Sequence, residues 1–570
     1  MTNTSLPRAW LLAIAFLQGL ALLVLYRSVE SGFWPSESPV WAFPLWTLAV
    51  AVPLLLLLSI TRENVATVAK YVGGFAVVLA LLAAYTGWQA RPFGEFPIGS
   101  LAGVFAITMG LASFKALMYL QQRASAVPLT YEVLFTNSWR NFLVGVLAAL
   151  FTGIFWLILL LWGRLFQVIG IEFFWDLFTE DWFAIPVLAV AFGLGISLFR
   201  DLTRVIDNIT SLLHWLIKLL LPLVLFVAVV FLGALPFTGL ELLWGTGSGT
   251  ALLLWLLALV LFFTNAVYQD GREADPYPRF LHRAIYVGIA VMPVVAALAF
   301  YGLLLRVQQY GWTIERCWAF VAWAVLTLFA VGYLVGIVRR RDAWTGDLAR
   351  VNTAMGLVVL AILLAANSPL LDFRKISLAS QLERVESGEI ELAEFDFWYA
   401  KQHLARPGYL AMEEMKDEIG ESDPELVAMI EEPVHRAAAL PVDSEAFWES
   451  VRYRPEPFVV PVGLKPLIER AMPPAPGQVP VVIRADLDGD GSNEYVLLLV
   501  GEQRPVFAQF FYRAGNDEGG GPWRLAHMSF RLDGGEGFDR EDVLEGDVSL
   551  TAPKYRNVRI GGVELQAVRQ

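Results

Sequence analysis

The chain has 570 residues, 56% of them hydrophobic and 17% charged, with a mean hydropathy of +0.56. Soluble domains are about 45–50% apolar and about 25% charged, so this composition excludes an ordinary soluble protein and indicates a membrane chain. The net charge of −12 is uneven: residues 373–570 hold 21 Lys/Arg and 35 Asp/Glu, and so acidic a tail excludes nucleic acid as a partner, because phosphate binding needs a basic surface.

A spanning helix takes about 20 mostly apolar residues. About eleven such runs follow one another, centred on residues 9–26, 40–60, 71–88, 98–120, 141–163, 182–199, 211–235, 251–268, 284–305, 318–338 and 352–371. The first follows one basic residue, Arg8, with no small-residue cleavage site after it, and reads as a retained span. Within the spans, Lys115, Thr264 and Asn265 are the notable polar residues, and carboxylates are almost absent. That disfavours ion coupling through buried acids. Pro53, Pro186, Pro222 and Pro293 could kink helices or mark broken ones, but prolines are common in membrane helices and the favoured reading is ordinary helical proline. The aromatic loop "RLFQVIGIEFFWDLFTED", residues 164–181, is expected to form an interfacial helix, with an extension of the fifth span as the alternative. "RDLTRVID", residues 200–207, has opposite charges at helical neighbour spacing and is expected to form ion pairs at a helix end. His214 and Lys218, four residues apart, are expected to snorkel to the interface. The single cysteine, Cys317, is read as packing.

Basic residues set the expected orientation. With the N-terminus in the cytoplasm, 14 Lys/Arg fall in cytoplasmic segments and 5 in the opposite loops. An odd number of spans then places the tail in the periplasm of a bacterium, and the spans in its inner membrane.

Beyond the spans, residues 373–453 read as a Glu-rich helical neck, and residues 454–480 hold eight prolines and read as an extended connector. Residues 481–570 alternate like strands between Gly-rich turns. The expected fold class is an all-α polytopic membrane domain, residues 1–372, followed by a soluble α+β region ending in a small β domain.

That β domain carries "DLDGDGSNEYVLLL", beginning at Asp486. Asp486, Asp488 and Asp490 alternate, Gly491 allows a sharp turn, Ser492 offers its carbonyl, and Glu494 closes the run. Alternate carboxylates in a turn converge oxygens on one point, as calcium requires. The twelfth position of a helix–loop–helix hand would be Leu497, which cannot ligate. The stretch resembles instead the strand–loop–strand calcium repeats of the FG-GAP and VCBS type, present here in one copy. The five histidines lack H-E-x-x-H spacing, and neither a G-x-S-x-G nor a phosphate loop occurs. No enzyme is expected.

Residues 367–415 hold an ordered pattern: Ile376, Ser377, Gln381, Arg384, Ser387, Gly388, Phe395, Asp396 and Gly408. This texture resembles an uncharacterised bacterial family of multi-pass inner-membrane proteins, a domain of unknown function (number 4153), over about residues 110–415. The resemblance implies a membrane protein and assigns no catalytic residue. The expected function is an envelope sensor or scaffold whose acidic tail binds calcium and meets a periplasmic partner. The alternative is a transporter or flippase of a hydrophobic or lipid-like substrate, to be favoured by a membrane cavity along the proline-bearing spans.

Overall fold

A computed structural model describes residues 8–125, 129–240, 243–244, 248–268, 276–420, 422–431, 444–455, 458–461, 463–465, 467–468, 478–487, 493–501, 505–513, 523–527, 541, 544, 558–560 and 563–565. It divides into two compact units, residues 1–395 with 400–418, and residues 396–399 with 419–570.

The first unit opens with α1 (Arg8–Ser31), α2 (Pro39–Ser59), α3 (Val65–Gln89), α4 (Gly99–Ala124) and α5 (Tyr131–Val168). A short α6 (Phe173–Thr179) precedes α7 (Asp181–Asp201), α8 (Thr203–Thr238) and α9 (Gly249–Tyr268). Next come α10 (Arg279–Ala290), α11 (Met292–Tyr310), α12 (Ile314–Arg340) and α13 (Thr345–Ala366). They are followed by α14 (Phe373–Glu386), α15 (Phe397–His403) and α16 (Ala405–Ile419). Among the described residues, 11 helical segments are long and apolar enough to cross a bilayer, one for each expected run. The chain is a multi-pass membrane protein in contact with lipid.

The ninth segment is two helices. It breaks at Val291 because Pro293, lacking an N–H, suits a first helical turn and here starts α11. Pro53, Pro186 and Pro222 lie inside continuous helices. Helix α6 is separate from α5: the chain turns at Gly170, whose φ is +84°, Phe178 is buried, and the Arg164 guanidinium lies 3.6 Å from the Trp175 ring centre.

Close approach of helices rests on small residues, since lipid tails are as apolar as leucine and only packing favours contact. Ala15 and Gly19 on α1 face Ala189 and Gly193 on α7, a small residue every fourth position on both. Polar contacts join other helices. Tyr333 Oη lies 2.7 Å from Asn265 Oδ1 and 2.5 Å from Asn352 Oδ1, and Asn352 Nδ2 donates to Asn265 Oδ1 at 2.6 Å.

One local expectation is corrected. In "RDLTRVID" the chain breaks at Leu202, between α7 and α8, so the stretch is not one helical face. Arg200 instead donates to the carbonyls of Leu57 and of Ile60, the latter at 2.9 Å, satisfying the end of α2. Asp201 pairs with Arg8 at 3.4 Å. The His214 ring sits edge-on to Trp139 at 4.7 Å between centroids and beside Phe135, so it is held in an aromatic cluster. Cys317 is free and buried, as packing requires.

The second unit contains α17 (Pro424–Glu431), α18 (Ser444–Ser450) and a five-stranded sheet. Its strands are β1 (Arg452–Arg454), β2 (Val479–Ala485), β3 (Glu494–Val500), β4 (Pro505–Arg513) and β5 (Trp523–His527), in that spatial order. β1 pairs parallel to β2, and the other pairs are antiparallel. A further hairpin joins β6 (Val558–Ile560) and β7 (Val563–Leu565). The boundary drawn at 453/454 falls inside β1. Phe447, Val460, Leu464, Val482, Leu497 and Phe511 share one core, so residues before the proline-rich stretch belong with the sheet.

Candidate functional site

Helices α2 and α4 leave an apolar groove of about 730 Å³ between them. On α2 it is lined at helical spacing from Pro39 through Phe43, Trp46 and Leu54 to Leu58; on α4 it runs from Ala102 to Leu117. At 1.5 Å per residue, Pro39 to Leu58 is roughly 28 Å, close to the full hydrocarbon thickness of a bilayer, about 30 Å. The lining is carbon-rich. Ser36 and Glu37 stand at one end, and Thr47 turns its hydroxyl to the Phe43 carbonyl at 2.7 Å. Gly110 leaves the wall open, because a Cβ placed there meets nothing within 4 Å. Lys115 is half-buried but does not line the groove, and it makes no hydrogen bond or ion pair among the described residues.

A buried polar cluster lies at the end of the bundle where α3 and α13 finish and α4, α12 and α14 begin. Asp372, 3% exposed, caps the start of α14. Its Oδ2 accepts from Tyr85 Oη at 2.6 Å and from Gln89 Nε2 at 2.7 Å. Its Oδ1 accepts from the Arg374 backbone N–H at 3.1 Å and from Arg374 Nε at 2.9 Å. Four donors converge on this buried carboxylate, so both of its oxygens are hydrogen-bonded. Beside the cluster is a smaller cavity of about 240 Å³, lined by Glu315, Trp318, Asn367, Asp372, Arg374 and His403, among others. Phe105 lines both the cavity and the groove.

The ordered pattern of residues 376–408 proves to be a clamp. Ser377, Gln381 and Arg384 lie on one face of α14, and each donates to carbonyls of the α11–α12 turn. Ser377 Oγ reaches Trp312 O at 3.1 Å, and Arg384 Nη2 reaches Gln309 O at 3.2 Å. Gln381 Nε2 reaches both Tyr310 O at 2.9 Å and Trp312 O at 3.1 Å. Gly311 sits at φ +69°, and a Cβ there would stand 2.8 Å from Gln381 Nε2. Gly388 ends α14 with φ +74°, Asp396 accepts from the Tyr399 N–H at 2.8 Å, and Gly408 meets the backbone of Ala400. Through Ser377, Gln381 and Arg384, α14 is fastened to the α11–α12 turn.

Of the expected calcium ligands, Asp486 and Glu494 are described, while Asp488, Asp490 and Ser492 lie outside the described residues. The β2–β3 register pairs Ala485 with Glu494, which brings Asp486 and Glu494 to the same end of the hairpin. Glu494 has a local role there: its Oε2 accepts from the Leu487 N–H at 2.7 Å, tying the turn together. The donor set is carboxylate and suits a hard cation. Among the described residues no group of three His, Cys, Asp or Glu is arranged to hold a metal.

Sequence reading missed Tyr85, Gln89, Asp372 and Arg374. Asp372 had a signal, an aspartate between the last apolar run and a helical stretch, where it suits an N-cap.

The family described as a domain of unknown function (DUF4153) matches residues 42–415. The match begins earlier than the resemblance read from sequence, and it takes in most of the groove and the whole Asp372 cluster, but not the acidic loop at 486–494. No curated protein and no solved structure matches the chain.

Proposed function

The chain belongs to the DUF4153 family, and on that premise we propose that it is a lipid-handling membrane protein that takes an acyl chain, or a comparably long apolar chain, into the groove between α2 and α4. The carrying observation is the groove itself: apolar, about 730 Å³, and running nearly the length of a proline-bearing span. Most of the groove falls within the residues that the family shares, which favours the membrane region as the seat of the common function. Bilayer tails are as apolar as the groove, so occupancy rests on shape and packing rather than on escape from water. The reading is non-enzymatic, and passage of the bound lipid along α2 is its natural extension.

Gly110→Leu tests it. Gly110 lines the groove and a Cβ there meets nothing within 4 Å, so a leucine has room at its branch point, and it improves helix propensity by up to about 1 kcal/mol. The full-length variant is expected to fold as well as the parent. Labelling of α4 by a photoreactive-acyl phospholipid in nanodiscs should fall roughly tenfold, equivalent to about 1.4 kcal/mol of lost packing. Equal labelling of a well-folded variant would refute the groove as the binding path.

A second reading concerns the tail. An acidic region carrying the 486–494 loop favours a cation-binding envelope scaffold with its C-terminus in the periplasm, where calcium sites of about 10⁻⁴–10⁻³ M affinity fill. Millimolar calcium is expected to raise the unfolding temperature of the second unit in the full-length protein, and Asp488→Ala to abolish the rise. A reporter fused after Gln570 should be active only outside the cytoplasm. No calcium response, or a cytoplasmic reporter signal, removes this reading.

A further inference from the structure

The small cavity beside Asp372 is not needed for the groove and has a chemistry of its own. Arg374 lines it with a side chain 14% exposed. Asp372 holds Arg374 through Nε, which fixes the plane of the guanidinium. The two terminal Nη groups, four N–H donors in fork geometry, make no hydrogen bond among the described residues. Glu315 lines the same cavity, is exposed, and makes no hydrogen bond or ion pair among the described residues. An oriented guanidinium fork and a carboxylate without a partner among the described residues thus line one space of about 240 Å³. Trp318, Leu101, Val104 and Phe105 supply an apolar side to the same space. The first turns of α4, α12 and α14 contribute Ser100, Glu315 and Arg374, so the partial positive charge of three helix starts offsets the carboxylates. The cavity lies where α13 ends and α4, α12 and α14 begin, at one end of the apolar helices.

We propose that this cavity binds a small zwitterion, with a phosphate or carboxylate on the Arg374 fork and a primary ammonium on Glu315. Such a group occurs on an aminophospholipid headgroup and on a free amino-alkyl phosphate, and the cavity recognises the chemistry common to both. A purely anionic ligand would leave Glu315 unpaired and repelled, and a purely cationic one would leave the fork empty.

The test uses the full-length protein, first in detergent with O-phosphoethanolamine, inorganic phosphate and ethanolamine as separate probes. Calorimetry is expected to show phosphoethanolamine binding at least tenfold more tightly than either half. Glu315→Gln, which breaks no hydrogen bond or ion pair among the described residues, should erase that advantage and leave phosphate binding intact. Arg374→Gln should abolish both, and Arg374→Lys should keep a weakened response. In a second arm, nanodiscs of phosphatidylethanolamine are compared with phosphatidylglycerol. Stabilisation by phosphatidylethanolamine, reversed in Glu315→Gln, identifies the headgroup as the source; a response only to the soluble probe identifies a free ligand. Equal binding of all three soluble probes with no lipid preference, or a Glu315→Gln protein that behaves like the parent in both arms, overturns the proposal. Groove labelling through Gly110 is scored separately, so either site can fail alone.

Discussion

Asp372→Ala is expected to destabilise the membrane bundle by about 3–5 kcal/mol, the usual cost of removing one partner from a buried ion pair. The pair is well enclosed, with side chains 1% and 14% exposed for Asp372 and Arg374. Alanine removes the acceptor for Tyr85 Oη, for Gln89 Nε2 and for two Arg374 donors at once. It also leaves the guanidinium without its counter-charge, which is the larger part of the penalty. Asp372→Asn keeps the shape but presents an amide N–H₂ where donors converge, so its effect should be intermediate. The double variant Asp372→Ala/Arg374→Met should recover part of the loss, because the uncompensated charge goes too. Denaturation of the purified protein in mixed detergent micelles measures all three. A loss below about 1 kcal/mol for Asp372→Ala would mean that the cluster is solvated and the ion pair is superficial.

Gly19→Leu should separate α1 from α7. A Cβ at Gly19 would stand 2.6 Å from Pro186 Cα and 3.0 Å from Ala189 Cβ. The first of these is backbone and cannot swing aside, so the helices must part. Overpacking of this kind costs about 1–3 kcal/mol, occasionally more, and here it also undoes the reciprocal contact of Gly193 with Ala15. Gly103→Ala is the control, since a Cβ there meets nothing within 4 Å. The unfolding temperature should fall clearly for Gly19→Leu and hold or rise for Gly103→Ala. Similar values for the two would show that the α1–α7 contact carries little of the fold.

The spans were readable because twenty-residue apolar runs have few alternative explanations. Their ends were less so. Helix α5 starts at Tyr131 and α8 at Thr203, several residues before the apolar runs begin, because a helix continues through polar residues as long as its backbone bonds are made. The break before α11 was visible as Pro293. In the clamp, Ser377, Gln381 and Arg384 were recognisable as a pattern at helical spacing, but their partners are carbonyl oxygens, which carry no signature in sequence. The Asp372 cluster was hidden differently: its acceptor and its donors on α3 are separated by most of the membrane domain. The groove was unreadable in principle, since it depends on how far α2 stands from α4 rather than on any residue type. β1 was missed because three residues, Arg452–Arg454, give no alternation to detect.

The distance along the chain between Gln89 and Asp372, 283 residues, also imposes an order on biogenesis. Ribosomes extend chains at about 5–20 residues per second, so α3 would wait roughly 15–60 s in the bilayer before its carboxylate partner is made. During that interval Tyr85 and Gln89 must satisfy their polar groups with interfacial water or lipid headgroups. The contacts among α1, α2 and α7 can form early, but the Tyr85 and Gln89 contacts to Asp372 cannot close until residue 372 is made, so a nascent chain stalled before it leaves that one polar seam open.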